Sequence, residues 1–228
     1  MDEWIKTLLP TLLTPVWIWL AIRIAWRQRN KIGEIVSRTG LNTVEIPDIL
    51  KIGFDPKAFA KQTYRKQEMN DPSPEDIEDI KEIATLAQSL KSLVAGRRIL
   101  WVDNHPENNQ TERKALVGWG VEVQTRRTTA EAMTELRDKK DRPFDLVLSD
   151  WFRDGKEEGL QLLGTMRSEK IDVPILFYFI ASSDEFRKIV AEASEHHAVG
   201  ATSSPRELLR WTFAELMRAA LRDETRFA

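Results

Sequence analysis

The sequence contains no cysteine. That excludes disulfides, a thiolate metal centre and a thiol nucleophile, and it fits a reducing compartment. A strong charge bias is missing too: the net charge is only −2 over 228 residues, which gives no global reason to expect nucleic acid as a partner. There is no glycine-rich phosphate loop and no nucleophile elbow, so nucleotide hydrolysis and serine-hydrolase chemistry lack their machinery. The chain is therefore not expected to be an enzyme. No repeat at solenoid periods and no low-complexity tract is present.

Tryptophan is plentiful and unevenly spread, with four of the eight in the first 26 residues. From Thr7 to Trp26 the chain is apolar apart from Arg23, and as a helix it would be about 30 Å long, the hydrocarbon thickness of a bilayer. Trp4 and Trp26 suit the two interfacial belts, and Arg23 is close enough to one end to snorkel. Pro10 and Pro15 argue the other way, because a helix begun after Pro15 would be too short to span and would lie in the interface. Residues 1–31 are expected to be a membrane anchor, spanning or interfacial. Arg23, Arg27, Arg29 and Lys31 outweigh Lys6, which puts the N-terminus outside. The rest would then be cytoplasmic, in a single-pass protein of the inner or plasma membrane. On that topology Asn109-Gln110-Thr111, a formal glycosylation sequon, is accidental.

Residues 32–97 read as a mostly helical connector. Asp55 caps a helix with Pro56 at its first position. After the break at Asn70-Asp71-Pro72-Ser73-Pro74, an apolar stripe of Ile80, Ile83, Leu86, Ala87, Leu90, Leu93 and Val94 follows at helical spacing. Such a stripe either packs on its own domain or forms a short parallel coiled coil joining two anchored subunits into a homodimer. Gly96-Arg97-Arg98 ends the helix, so the boundary of the main domain, 98–222, is placed there, with 223–228 as a tail.

Two runs organise that domain: Arg98 to Asp103 and Phe144 to Asp150. Each is a short apolar stretch ending in an acid, and each reads as a strand buried on both faces that delivers a carboxylate to its C-terminal edge. Open parallel sheets build their sites at that edge. Val121–Thr125, Val173–Ile180 and Ala198–Thr202 read as three further strands. Helical patterns follow each strand: one ending near Leu116, one capped by Thr128 or Thr129, one from Gly159, one from Asp184 and one from Ser204-Pro205. Five alternations predict an α/β fold, a (βα)5 doubly wound parallel sheet with right-handed crossovers. Asp103 and Asp150 would then share a pocket on neighbouring strands.

Ile99 through Asn109, the Phe144-to-Asp150 strand, Val173-Pro174-Ile175-Leu176 and Gly200 through Pro205 occur in an order that resembles the receiver domain of two-component response regulators. The resemblance covers about residues 98–222. It implies a flavodoxin-like fold, a phosphoryl group accepted by Asp150 from a histidine kinase, and Mg²⁺ held by Asp103, Asp150 and the backbone carbonyl of Phe152. Three positions depart from the family. Asn104 stands where a second acid is usual, and its amide is a weaker Mg²⁺ ligand. Phe179, followed by Ile180, stands where a Thr or Ser closes strand four, and Ser204 replaces the lysine that pairs with the phosphoryl oxygens. Phosphoryl transfer relies on electrostatic stabilisation of those oxygens. The resemblance is thus to an atypical receiver with weak Mg²⁺ binding.

Trp151 and Arg153, in the loop after Asp150, are candidates for partner contact, with simple packing an equal alternative for Trp151. Phe179 and Ser204 mark the switching face of the resembled family. The expected function is signal transduction by contact with a histidine kinase or a downstream signalling protein. The second reading is a membrane effector, in which the domain senses a partner or ligand and clustering of the anchors perturbs the bilayer.

Overall fold

Arg98–Val102 (β1) pairs in parallel with both Glu122–Arg126 (β2) and Leu146–Ser149 (β3). Next come Ile175–Tyr178 (β4) beside β3 and Gly200–Thr202 (β5) beside β4. The order β2-β1-β3-β4-β5 is the flavodoxin-like doubly wound arrangement, with its switch point between β1 and β3. The computed structural model describes residues 54–67, 69–138, 142–181 and 183–227, without the side chains of 183 and 224–227. The expected anchor over residues 1–31 lies outside them. Among the described residues no helix is long and apolar enough to cross a bilayer.

The helices are Pro56–Lys66 (α1), Pro74–Ser89 (α2), the single turn Lys91–Val94 (α3), Gln110–Gly118 (α4), Thr129–Arg137 (α5), Glu158–Ser168 (α6), Ser183–Glu195 (α7) and Pro205–Phe227 (α8). Local chemistry sets their starts. The Asp55 side chain accepts from the Lys57 and Ala58 amides at 2.9 and 3.1 Å, while Ser73 with Asp76 and Thr128 with Glu131 form capping boxes ahead of α2 and α5. β3 and β4 are buried along their whole length, as their unbroken apolar runs require. β4 begins only after Pro174, which has no N–H to give to the ladder. β2, at the sheet's edge, is half-buried beyond its exposed first residue, Glu122.

One face of the sheet, with Ile99, Trp101, Leu148 and Tyr178, is covered by α4 and α8. The other, with Leu100, Val147, Phe177 and Trp151, is covered by α5, α6 and α7. The helices expected to act as a connector belong to the first face. Phe59, Ala60, Tyr64, Ile80, Ala87 and Val94 are buried in the same apolar cluster as Trp101 and Leu208, and the described residues all belong to one compact unit. The α2 stripe packs on its own domain rather than into a coiled coil, because Ile80 and Ala87 are buried in that cluster and Ile83 packs against it; Leu86 is half exposed. α8 continues past the expected end at residue 222. No glycine or proline stops it, and Asp223 is held by Arg97.

Candidate functional site

Val102 and Ser149 are register partners, so the chain leaves the two strands with Asp103 and Asp150 side by side. The Asp150 amide donates to Val102 O at 3.0 Å. Asp103 is buried. Its Oδ1 accepts from the His105 amide at 2.7 Å, and its Oδ2 accepts from Asn109 Nδ2. Asp150 is partly exposed, and the Phe152 amide donates to its Oδ1 at 3.3 Å. Burial first, and the Asp103 charge second, push the Asp150 carboxyl up to about 7. Loss of solvent disfavours the charged form of Asp150, and the neighbouring carboxylate adds to that effect.

The loop after Asp150 turns inward. Arg153 is 1% exposed, and its guanidinium donates to Ser149 Oγ at 2.7 Å, Asp150 O at 2.9 Å and Thr129 Oγ1 at 2.8 Å. Glu158 supplies the counter-charge at 3.4 Å. Asp154 and Gly155 both have positive φ, 51° and 73°, and they join Arg153 to Lys156 in a tight two-residue hairpin of the kind Asp-Gly favours. Trp151 is fully buried, edge-on to Phe177 at 4.8 Å and tilted against Phe179 at 6.4 Å. Neither Trp151 nor Arg153 therefore reaches the surface as an interface anchor: the indole fills the core and the guanidinium ties the loop to α5 and α6. A glycine is needed at Gly159, where a Cβ would come within 2.7 Å of Asp150 O and 2.9 Å of Trp151 Cα.

The other predicted residues divide. Asn104 lies at the rim, its amide donating to Asp154 Oδ1 at 2.9 Å. His105 is exposed beside it. Phe179 is buried against Trp151 and Phe186. Ser204 serves the helix that follows it. Its Oγ accepts from the Glu207 amide at 3.4 Å in the first turn of α8, and it meets the Tyr64 hydroxyl of α1. Burial and the charge of Asp76 raise that tyrosine to about 12.

Four residues that sequence reasoning did not assign to the site adjoin it. Lys66, in the last turn of α1, donates to Asn109 Oδ1 at 2.7 Å and to Glu112 Oε1 at 2.5 Å. Its Nζ lies 5.1 Å from the centre of the Tyr178 ring, and Tyr178 donates to the same Glu112 oxygen at 2.9 Å. Burial, then the Glu112 charge, raise the Tyr178 hydroxyl well above its usual value. Asn109 was visible as part of a sequon and as the last residue of the stretch after the first strand, with no role assigned to it. Glu112 sits in the polar stretch Gln110-Thr111-Glu112-Arg113-Lys114, which gives no sign that it is buried.

For a cation, the structure brings together the carboxylates of Asp103 and Asp150; the Phe152 carbonyl and the Asn104 amide complete the donor set that the resemblance implies. These are hard oxygens of the kind Mg²⁺ takes. No third acid or histidine completes a cluster among the described residues. Both Asp103 oxygens already accept N–H bonds, so the set fits a divalent cation loosely.

No family model matches the chain, and no curated protein matches it. Its structural neighbours are response-regulator receiver domains. They include the chemotaxis response regulator CheY4 of Vibrio cholerae (25% identity, 54% of this chain and 99% of that one, TM-score 0.42) and the HemR receiver domain of Leptospira biflexa (23%, 53% and 94%, 0.43). A third is the response regulator TrrA of Thermotoga maritima in complex with Mg²⁺-BeF (25%, 53% and 98%, 0.41). At such TM-scores the likeness carries no weight beyond the strand order already described.

Proposed function

We propose that this chain is an atypical receiver-type signalling protein, held at the membrane by residues 1–31, that works by contact with a histidine kinase or a downstream signalling protein. The observation that carries the reading is the Asp103–Asp150 pair. Two carboxylates are brought together at the switch point of a 2-1-3-4-5 parallel sheet, one buried and fixed by N–H donors, the other open to an incoming group.

Asp150 has the phosphoacceptor's position. To attack phosphorus it must be ionised, and at neutral pH about half of it is protonated. Mg²⁺, when bound, would supply positive charge that favours the ionised form of Asp150. Asp103, Asp150, the Phe152 carbonyl and the Asn104 amide would hold it. Arg153 supports the acid from beneath, bonded to its main-chain oxygen. Neither Phe179 nor Ser204 offers a cation to phosphoryl oxygens, so the transfer chemistry is weaker than the fold allows.

The test is a beryllofluoride titration of the full-length chain with Mg²⁺, followed by ¹⁹F NMR, with Asp150→Asn as the control. A bound signal in the wild type that the variant loses supports the phosphoacceptor reading. If both chains give only free fluoride species, Asp150 is not a phosphoacceptor and signalling is independent of phosphorylation.

A further inference from the structure

The pocket's acids do not end at the strand edge. Asp103 Oδ2 takes a hydrogen bond from Asn109 Nδ2, and Asn109 Oδ1 takes one from Lys66 Nζ. The same ammonium reaches Glu112 Oε1 and lies over the Tyr178 ring. A single amide thus separates the buried acid from a cation carried by α1, a helix that precedes the sheet in sequence.

We propose that Lys66 is a positioning residue of the acid pocket and that α1, which carries it, reads the pocket's state. Hydrogen bonds in a chain polarise one another in a low-dielectric interior. While Asp103 draws on the Asn109 amide, the amide oxygen is a better acceptor for Lys66, and α1 is held more firmly. When the Asp103 charge is drawn instead towards a group bound at the rim, both bonds weaken together.

The released ammonium has somewhere to go. Glu112 Oε2 is buried without a hydrogen-bond partner, as is Gln67 Oε1 just after α1. The cluster thus holds two further acceptors for the ammonium, on which a two-state coupling element can draw. As an output route this rests on the receiver-type reading of the pocket; the coupling itself is tested without any ligand.

Amide hydrogen exchange on the full-length chain provides the test. In Asp103→Ala, exchange over residues 60–66 should speed up by about tenfold, within the 5- to 150-fold range of ordinary coupling, while α6 and α7 keep their wild-type rates. Reciprocally, Lys66→Met should speed exchange of the His105 amide, which Asp103 holds, and Lys66→Arg should restore it. Unchanged α1 exchange in Asp103→Ala, or an unchanged His105 amide in Lys66→Met, overturns the coupling, and so does acceleration spread evenly over the sheet. If Asp103→Ala fails to fold, Asn109→Ala cuts the same link and is read the same way. Because neither arm contains a ligand, a pocket that never takes beryllofluoride would sink the phosphoacceptor reading and leave this one standing.

Discussion

Arg153 lies beneath Asp150 and donates to that residue's main-chain oxygen at 2.9 Å, from a position almost wholly shielded from solvent. A charge so placed depends on its partners. In Arg153→Met, Ser149 would be left buried with one bond fewer, and the half-buried Thr129 and Glu158 would lose the same partner, at a cost of about 1–3 kcal/mol. Denaturant unfolding should read this as a lower midpoint with an unchanged slope. Arg153→Lys should recover little, because an ammonium cannot reproduce the fork that meets Ser149 and Thr129 at once.

The acid pair makes stability depend on pH. Asp150 titrates near 7 when folded, against 3.8 as its ordinary value, so its ionised form is disfavoured by folding. Its penalty is absent below pH 3.8, grows as pH rises and is complete above 7. In EDTA, Asp150→Asn should therefore stabilise the domain more at pH 8 than at pH 5. The gain at pH 8 is at most about 4 kcal/mol, at roughly 1.4 kcal/mol for each tenfold change in proton affinity. Equal stabilisation at both pH values would mean that the carboxylate is not disfavoured by folding.

Gly159→Ala should cost about 1–3 kcal/mol by overpacking, since the new methyl group meets main-chain atoms of Asp150 and Trp151 that cannot step aside. Thermal melting gives the loss. Gly164→Ala, on the same helix with open space around it, is the control and should be neutral or slightly stabilising.

Ser204→Ala should destabilise by about 0.5–2 kcal/mol, the ordinary value of a helix cap, and should loosen Tyr64. Ser204→Lys, which restores the residue that the resembled family carries, should lose the same cap. A rise in melting temperature in Ser204→Lys would show that the position is free for a cation after all.

The order of strands was legible because each central strand is an apolar run with turn formers at its ends, and Asp103 and Asp150 were legible because such runs rarely finish in an acid. Asp55 announced its helix through side-chain capping, and the Thr128-Thr129 pair announced the next, with Thr128 the cap in the structure. What escaped was charge turned inward. Arg153 follows a Trp-Phe pair in a polar loop and looks like surface; only the hairpin at Asp154-Gly155 folds it back under β3. Lys66 meets Glu112 and Asn109 across a separation of more than 40 residues, and no periodicity records such a pairing. The stripe on α2 told that something would be buried, but not that Trp101 and Leu208 would lie in the same core.

That shared core bears on how such a domain can travel between proteins. The stretch that carries the resemblance, 98–222, is missing Phe59, Tyr64, Ile80 and Ala87 from its own interior. Spliced onto another chain from residue 98, it would arrive with part of one face uncovered and with Asn109 lacking its lysine. It is not a portable cassette: any recombination that moved it intact would have to carry α1 and α2 along, so the helices and the acid pocket are expected to be inherited as one piece.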